Sequence, residues 1–554
     1  MASLTFEDIE ENFRFAVLEV IRQVEDVRTA VGDPSHAIIS RVRDRDDYID
    51  NLKSVIENRG FSHIIQGEGG DRRKVDFFRA FLTITGNLEK IGDYAVNIVG
   101  QLTHLSDPRY LGRFDYRPFF DAALTALGKV GEAVYQNDIG AALAICQAEL
   151  TLDELYKGVF TDIRDRLMAG GGECGDLITS LFIFQYLERM GDALLNIGEA
   201  VIFAVMGERI KIRELRALEG SLTDASIETP LPKLHYQGIW GSRSGCRIGA
   251  VNRSDGEAIV GADDDRNVIF KYGGIEKLTK EKESLDRWSR IAPGLAPTVK
   301  AFQTEEDAGA LLLEYLVGAT LQEIFVNGDE ALFQRAFAAF QETALRLWAE
   351  SLTPTPVSAR FVSQMRRRLP EVYRLHPDFD EETKLIGPVV APTVGDLLEQ
   401  SDTLDDELAA PFSIFIHGDF NVNNVIYNAD EERIRYLDLH RSGYSDYVQD
   451  VSVFIVSLFR LPVFDPHRRE RLDGAILRFY TFAREFAAEK GDTTFDARLA
   501  LGLARSFITS TRFEYRTRFA RRMYLRGTYL LTKLVAHRET PWSAFSLSKD
   551  AMTY

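Results

Sequence analysis

Residues 87–98 (NLEKIGDYAVNI) return 99 residues later as residues 186–197 (YLERMGDALLNI), with leucine, glutamate, glycine, aspartate, asparagine and isoleucine at matching places. A second marker keeps the same order, since residues 46–52 (DDYIDNL) are echoed by residues 149–155 (ELTLDEL). Repetition on this scale constrains the fold strongly, because each copy must be one packable unit. Apolar residues recur every three or four positions from Leu4 to about Leu218, the period of amphipathic helices. Breaks at Asp33-Pro34, Gly67 to Gly70, Asp107-Pro108, Asn137 and Gly170 to Gly172 cut that run into six helices. The pattern predicts an all-α region of two three-helix bundles, residues 1–110 and 111–218.

The full 554 residues exceed what one hydrophobic core usually serves, so a further domain is expected. Residues 219–234 are polar and proline-containing and read as a linker. Short β-like runs such as Asn267 to Tyr272 follow, so 235–554 is expected to mix α and β. A formal net charge of −18 disfavours nucleic acid or anionic lipid as a partner. Cys146, Cys174 and Cys246 are far apart and make neither a disulfide framework nor a thiolate zinc site. The N-terminus lacks a signal-peptide pattern, and no apolar run reaches the roughly 18 residues of a membrane span. A cytoplasmic protein is the expectation.

Glu89, Asp93 and Asn97 lie four apart and share one helix face, as do Glu188, Asp192 and Asn196. Like charges at this spacing cost only about 0.2–0.5 kcal/mol on an exposed helix, so a solvated acidic face accounts for either stripe. Gly92 and Gly191 add a constraint: a helix-interior glycine costs roughly 1 kcal/mol against alanine and is usually kept where a neighbour comes close. If the neighbours are the Asp46/Asp50 and Glu149/Asp153 helices, carboxylates converge in each bundle and a cation becomes the natural partner. Oxygen ligands without His or Cys suit Mg, Mn or Fe better than structural zinc. With its Glu188-x-x-x-Asp192 signature, the stretch from about residue 5 to 215 resembles the PhoU phosphate-uptake regulators, its second copy more closely. The resemblance implies metal, as Fe, Mn or Zn, on Glu89, Asp93, Glu188 and Asp192, with Asp50 and Asp153 as further ligands. It also implies a phosphate transporter or a two-component signalling protein as partner.

The sharpest chemical pattern follows the apolar run Phe412 to Ile416: His417, Asp419 and Asn424 form H-x-D-x-x-x-x-N, with the Asp and Asn spacing of a kinase catalytic loop. Val425 to Tyr427 and Ile434 to Leu437 read as strands joined by a turn at Asn428 to Arg433, a register that sets Asn424 opposite Asp438. Cross-strand partners lie about 5 Å apart, close enough to share one Mg²⁺. Asp419 would then orient a hydroxyl and accept its proton, while Asn424 and Asp438 hold the metal. Upstream, Lys271 would neutralise nucleotide phosphates, although a lysine at a strand end is also an ordinary surface feature. Glu281 would pair with it and is preferred to Glu283, because Leu285 and Trp288 follow at helical spacing. Gly241 and Gly245 would flank a phosphate-covering loop, a pattern that is as often a plain turn.

Leu311 to Gly318, including Glu314, resembles the hinge that receives adenine through backbone hydrogen bonds. Together these features make residues 235–540 resemble the aminoglycoside-phosphotransferase family. The resemblance implies a bilobal kinase-like α+β fold and ATP- and Mg²⁺-dependent transfer to a hydroxyl of a small-molecule acceptor. The chain departs from the family at Asp438-Leu439-His440-Arg441 and in its sparse glycine loop. Asp446 and Asp450 are expected to serve structural hydrogen bonding. A regulator whose kinase-like part only binds nucleotide or a partner is the rival reading. Arg518, Arg522 and Arg526 share a helix face and would either receive an anionic acceptor or pair with the surplus carboxylates of the same lobe.

Overall fold

The computed structural model describes residues 6–65, 72–107, 109–170, 173–208, 210–227, 231, 234–239, 246–253, 267–305, 307–380, 384–386 and 389–554. Two compact units divide the chain, Met1–Gly274 with Lys300–Leu312 and Ile275–Val299 with Leu313–Tyr554. Among the described residues no helix is long and apolar enough to cross a membrane.

The first unit holds α1 (Phe6–Gly32), α2 (His36–Ile65), α3 (Arg72–Leu102), α4 (Arg117–Tyr135), α5 (Ile139–Ala169) and α6 (Cys174–Met206). Their ends fall at the expected punctuation. Asp138, for example, caps α5 by accepting a hydrogen bond from the Ala141 amide at 3.1 Å. The repeat is written into the core, where Leu88, Ile91, Ala95 and Ile98 of α3 and Leu187, Met190, Leu194 and Ile197 of α6 occupy equivalent places and are all buried. Each of the larger side chains contributes about 1.5–3 kcal/mol by leaving water. The helices α3 and α6 pack on one another, with Tyr94 stacked on Tyr186 at 6.2 Å between ring centroids.

A seventh helix, α7 (Ile212–Asp224), runs into the stretch expected to be linker. Leu215, Leu218 and Leu222 recur at helical spacing and are buried. The polar residues between them are satisfied within the helix: the Ser221 hydroxyl donates to the Ala217 carbonyl at 2.7 Å and the Thr223 hydroxyl to the Glu219 carbonyl at 3.0 Å. Polarity that suggested a linker therefore covers the exposed and back-bonded faces of a helix.

Strands β1 (Leu234–Gly238), β2 (Arg247–Arg253), β3 (Asn267–Gly274), β4 (Val299–Glu305) and β5 (Ala308–Glu314) form one sheet in the order β1-β2-β3-β5-β4. Leu234, Tyr236, Val251, Val268, Phe270 and Leu312 join the same continuous hydrophobic core as the helices. Polar contacts tie α7 to the sheet. Arg247 meets Glu214 at 2.7 Å, and the Gln303 amide donates to Asp224 at 2.9 Å. The sheet expected to begin a separate domain at residue 235 thus shares its interior with the helices before it.

The second unit begins with α8 (Ile275–Ile291) and continues through β6 (Ala319–Thr320), α9 (Leu321–Asn327), α10 (Glu330–Ser351) and α11 (Phe361–Leu375). Next come β7 (Lys384–Ile386), β8 (Val389–Ala391), α12 (Val394–Gln400), α13 (Leu404–Glu407) and β9 (Ile414–Ile416). The remainder is β10 (Val425–Asn428), β11 (Arg433–Tyr436), β12 (Gly443–Ser445), α14 (Val448–Phe459), α15 (Pro466–Glu489), α16 (Phe495–Ser510) and α17 (Thr517–His537). Its strands pair antiparallel, as β11-β10-β6, β12-β9 and β7-β8. Phe340 of α10, Phe454 of α14 and Phe479 of α15 build an aromatic centre, with Phe340–Phe454 at 4.7 Å and Phe454–Phe479 at 4.6 Å. Phe420 leans on Phe340 at 5.6 Å, so the residue after Asp419 is rooted in that centre. The chain is an all-helical region followed by an α+β region with antiparallel sheets, the order expected from its sequence.

Candidate active site

Three buried residues, Ile414 to Ile416, carry the chain along β9 into the loop that holds His417 and Asp419. Gly418 makes the sharp exit with φ +82, and a Cβ there would stand 2.2 Å from the Arg441 carbonyl oxygen, so the position admits glycine alone. Asp450, at the start of α14, accepts from the His417 amide at 2.7 Å and the Gly418 amide at 2.8 Å, clamping the loop from below. Burial pushes its carboxyl up to about 7, against the pull of those two amides. Asp446 is likewise structural, paired at 2.5 Å with the buried Arg498. Both behave as the sequence suggested.

His417 is enclosed, and burial pushes its imidazole down to about 4 despite the nearby charges of Asp419 and Asp438. Its neutral Nδ1 accepts from the Asp419 amide at 3.3 Å. The Asp419 carboxylate takes a hydrogen bond from Asn421 Nδ2 at 2.7 Å on one oxygen and faces Arg441 Nη1 at 3.2 Å on the other. Asn424 Nδ2 donates to the Asp419 carbonyl at 2.9 Å, which leaves the amide oxygen as the end available to a cation.

The hairpin differs from the expected register by one residue. Val425 pairs with Tyr436 and Asn428 with Arg433, and the Leu437 amide donates to the Asn424 carbonyl at 2.8 Å, so Asn424 faces Leu437 rather than Asp438. The turn is shorter than polarity implied, because Asn428 Oδ1 accepts from the Asp430 and Glu431 amides and closes it over four residues. Asp438 then takes left-handed backbone, φ +59, a conformation that costs a non-glycine residue about 1–2 kcal/mol. Such strain is tolerated where a side chain must be aimed. An amide oxygen and a carboxylate form a hard-oxygen donor set of the kind Mg²⁺ takes, so the residues present fit that ion. His440 Nδ1 lies 2.9 Å from Asp438 Oδ1, the contact that the departure in this loop introduces.

The remaining nucleotide-side residues fall differently. Lys271 lies on β3 of the first unit and is 9% exposed, which removes the surface reading. Glu281 of α8, in the second unit, is 3% exposed and shares its buried face with Leu285 and Trp288, while Glu283 is exposed. Glu314 gives its amide to the Thr298 carbonyl at 3.0 Å, and its carboxylate takes Thr298 and Arg435, the latter at 2.6 Å. Its side chain braces the strand end, leaving any adenine contact to backbone groups further along. Gly241 and Gly245 lie outside the described residues.

The helices that the glycines suggested as neighbours do approach one another. A Cβ at Gly92 would meet Gln23 Oε1 at 2.9 Å and Asp46 Oδ1 at 3.1 Å, and one at Gly191 would meet Leu152 and the Glu149 Cα at 3.1–3.3 Å. Burial, then neighbouring carboxylates, raises Asp46 and Asp93 in the first copy and Glu149 and Glu188 in the second. Lys53 supplies a counter-charge to Glu89 at 3.1 Å, and Lys157 lies 3.5 Å from Asp153. Among the described residues no three His, Cys, Asp or Glu side chains close to metal-holding spacing. The acidic stripes involving Asp50 and Asp192 are present without a closed ligand set for Fe, Mn or Zn.

Of the arginine face, Arg522 donates to the Tyr554 hydroxyl at 2.8 Å and Arg526 to the Asp550 carbonyl at 2.7 Å, so the C-terminal segment takes both. Arg512 stood at the head of the basic stretch from Thr511 to Arg526 in the sequence, but sequence reasoning missed Arg441 beside Asp419, and Arg368 and Arg505, whose charges act with that of Arg512 on the same carboxylate. The Arg366-Arg367-Arg368 run is a visible hint to Arg368.

Comparison with known families gives a PhoU domain over residues 17–102 and 118–201, and the phosphotransferase enzyme family over 259–489. A phosphate-specific transport system accessory protein PhoU homolog of Clostridium acetobutylicum is 22% identical over 194 residues, 35% of this chain and 89% of that protein. The crystal structure of PhoU from Pseudomonas aeruginosa matches with 23% identity and a TM-score of 0.34, covering 36% of this chain and 97% of the other. An aminoglycoside-3'-phosphotransferase of type VIII matches with 19% identity and a TM-score of 0.32, covering 48% of this chain and 90% of the other.

Proposed function

Since the chain carries paired PhoU domains and a domain of the phosphotransferase enzyme family, we propose that it is an ATP- and Mg²⁺-dependent kinase of a small hydroxylated acceptor, tied to phosphate homeostasis. The gathering of Asp419, Asn424 and Asp438 at the ends of β9, β10 and β11 carries the reading. Asp419 orients the acceptor hydroxyl and takes its proton, and Asn421 fixes the rotamer in which it does so. Asn424 and Asp438 would hold Mg²⁺, which when bound neutralises charge on the nucleotide phosphates. Lys271 is assigned to the same phosphates, with Glu281 as its partner. The helical repeats would connect this activity to a phosphate transporter or a two-component signalling protein, in a cytoplasmic setting.

The His440 contact on Asp438 favours the rival, a nucleotide-binding regulator that does not transfer, because it occupies an oxygen of the proposed metal ligand. Turnover decides between them. With the full chain and a set of hydroxylated metabolites, ATP-dependent gain of one phosphate is expected. Asp419→Asn should then lower kcat by about 10²–10⁴ with ATP affinity kept, whereas Asp438→Ala should weaken Mg²⁺-dependent ATP binding itself. Unchanged turnover in Asp419→Asn would remove Asp419 from the chemistry.

A further inference from the structure

We infer that the acceptor is an anion, carrying phosphate or carboxylate near the hydroxyl that is modified, and that Arg368, Arg505 and Arg512 form its binding site beside Asp419. The inference rests on the kinase reading for the word acceptor; the anion site itself stands on the geometry. The three arginines come from α11, α16 and the turn at residues 511–513, elements that pack on one another. Asp419 is the carboxylate whose charge acts on all three. Arg441 stands against Asp419 at 3.2 Å and adds a fourth positive charge.

The cluster is under-neutralised. Arg505 is 5% exposed, its Nη1 donates only to the neutral Ser506 hydroxyl at 3.2 Å, and its Nε has no partner. Its guanidinium lies over the Phe361 ring at 5.4 Å, a contact that satisfies none of its N–H groups. Arg512 spends Nε on Glu371 at 3.2 Å and keeps a buried Nη1 without a partner. For Arg368 the structure shows no hydrogen bond or ion pair among the described residues. Asp450, the further carboxylate whose charge reaches Arg505, is committed to the amides of His417 and Gly418. Burial and then the neighbouring arginines push Arg368 down to about 10 and Arg505 down to about 9, so both remain charged at neutral pH.

Burying guanidinium groups against one another is unfavourable unless an anion completes the set. Planar forks with free N–H groups match phosphate and carboxylate oxygens. A cationic acceptor such as a polyamine sugar carries the wrong charge for this wall. Placement beside the proposed base also means that the anion, once held, sets its own hydroxyl against Asp419.

The test uses the full-length protein without nucleotide, titrated with inorganic phosphate and with citrate while melting and heat of binding are followed. Saturable binding is expected, weakened at least tenfold in Arg368→Gln and in Arg512→Gln, with ATP affinity changed less than twofold. Arg368 is only partly buried, unlike Arg505, so Arg368→Gln should keep the fold, and a wild-type far-UV spectrum checks this. Absence of anion binding, or binding indifferent to Arg368→Gln, overturns the site. Parallel loss of ATP affinity overturns the acceptor assignment and gives the arginines to the nucleotide phosphates instead. A chain that binds anions in this way yet never transfers phosphate to any hydroxyl would refute the kinase reading while leaving the anion site in place.

Discussion

His417 and Asp450 meet across the backbone of the loop that holds Asp419, and burial moves them in opposite senses, the imidazole down to about 4 and the carboxyl up to about 7. Their effects on stability oppose as well. The folded histidine binds its proton less readily than the unfolded one, whose pKa is about 6.5, so its contribution is complete above that pH and is lost as pH falls toward 4. The folded aspartic acid keeps a proton that the unfolded chain releases near 3.9. Its contribution is therefore complete at low pH and lost as pH rises toward 7. Between about pH 4 and 6.5 the two slopes offset one another. Asp450→Asn removes the second, so denaturant unfolding at stepped pH should show stability falling with acidification more steeply than in wild type, by one proton. Parallel pH profiles would show that the pair does not titrate as its burial implies.

At the level of helices, glycine contacts separate positions that look alike in the sequence. Gly198 of α6 is the tighter one: a Cβ would sit 2.2 Å from Cys146 Sγ and 2.7 Å from the Ala142 carbonyl oxygen. Overpacking costs about 1–3 kcal/mol and outweighs the roughly 1 kcal/mol that alanine gains by helix propensity. Gly198→Ala should therefore lower the melting temperature. Gly86 of α3 meets nothing within 4 Å, so Gly86→Ala should raise stability by up to about 1 kcal/mol. A stabilising Gly198→Ala would contradict the packing of α5 on α6. Periodicity and punctuation made the six long helices, the repeat and Gly191 legible, because those signals are local. The hairpin register was not, since Asn428 and Arg433 have turn-like polarity and yet pair. Nor could α7 be read through Ser221 and Thr223, whose hydroxyls find helix carbonyls. The loop motif singled out Asp419 and Asn424 because its spacing is local in the sequence. The arginines at 368, 505 and 512 come from separate elements, and only tertiary packing brings their charges onto one carboxylate. Arg518, Arg522 and Arg526 drew attention because a single helix face is visible in a sequence.

For the molecule as a whole, the consequential feature is that the strand carrying Lys271 lies in the interior the helical repeats build. Val268 and Phe270, just before it along β3, are buried in the same core as Leu215 and Leu218 of α7. A shift in how α6 or α7 packs therefore reaches β3 through close-packed side chains, which transmit displacement because they leave little free volume. This gives the helical region a physical route to the proposed phosphate-binding lysine. It also argues against treating residues 235–554 as a free-standing kinase. Cutting there would uncover Tyr236, Val251, Val268, Phe270 and Leu312, and even half of that burial is worth on the order of 4–8 kcal/mol at 1.5–3 kcal/mol per side chain. A whole domain is stable by only about 5–15 kcal/mol. The fragment 235–554 should accordingly be insoluble or melt without cooperativity, while the full chain binds ATP and unfolds cooperatively. A soluble, cooperatively melting fragment with full ATP affinity would show that the sheet holds itself together and that the shared core does not couple the helices to Lys271.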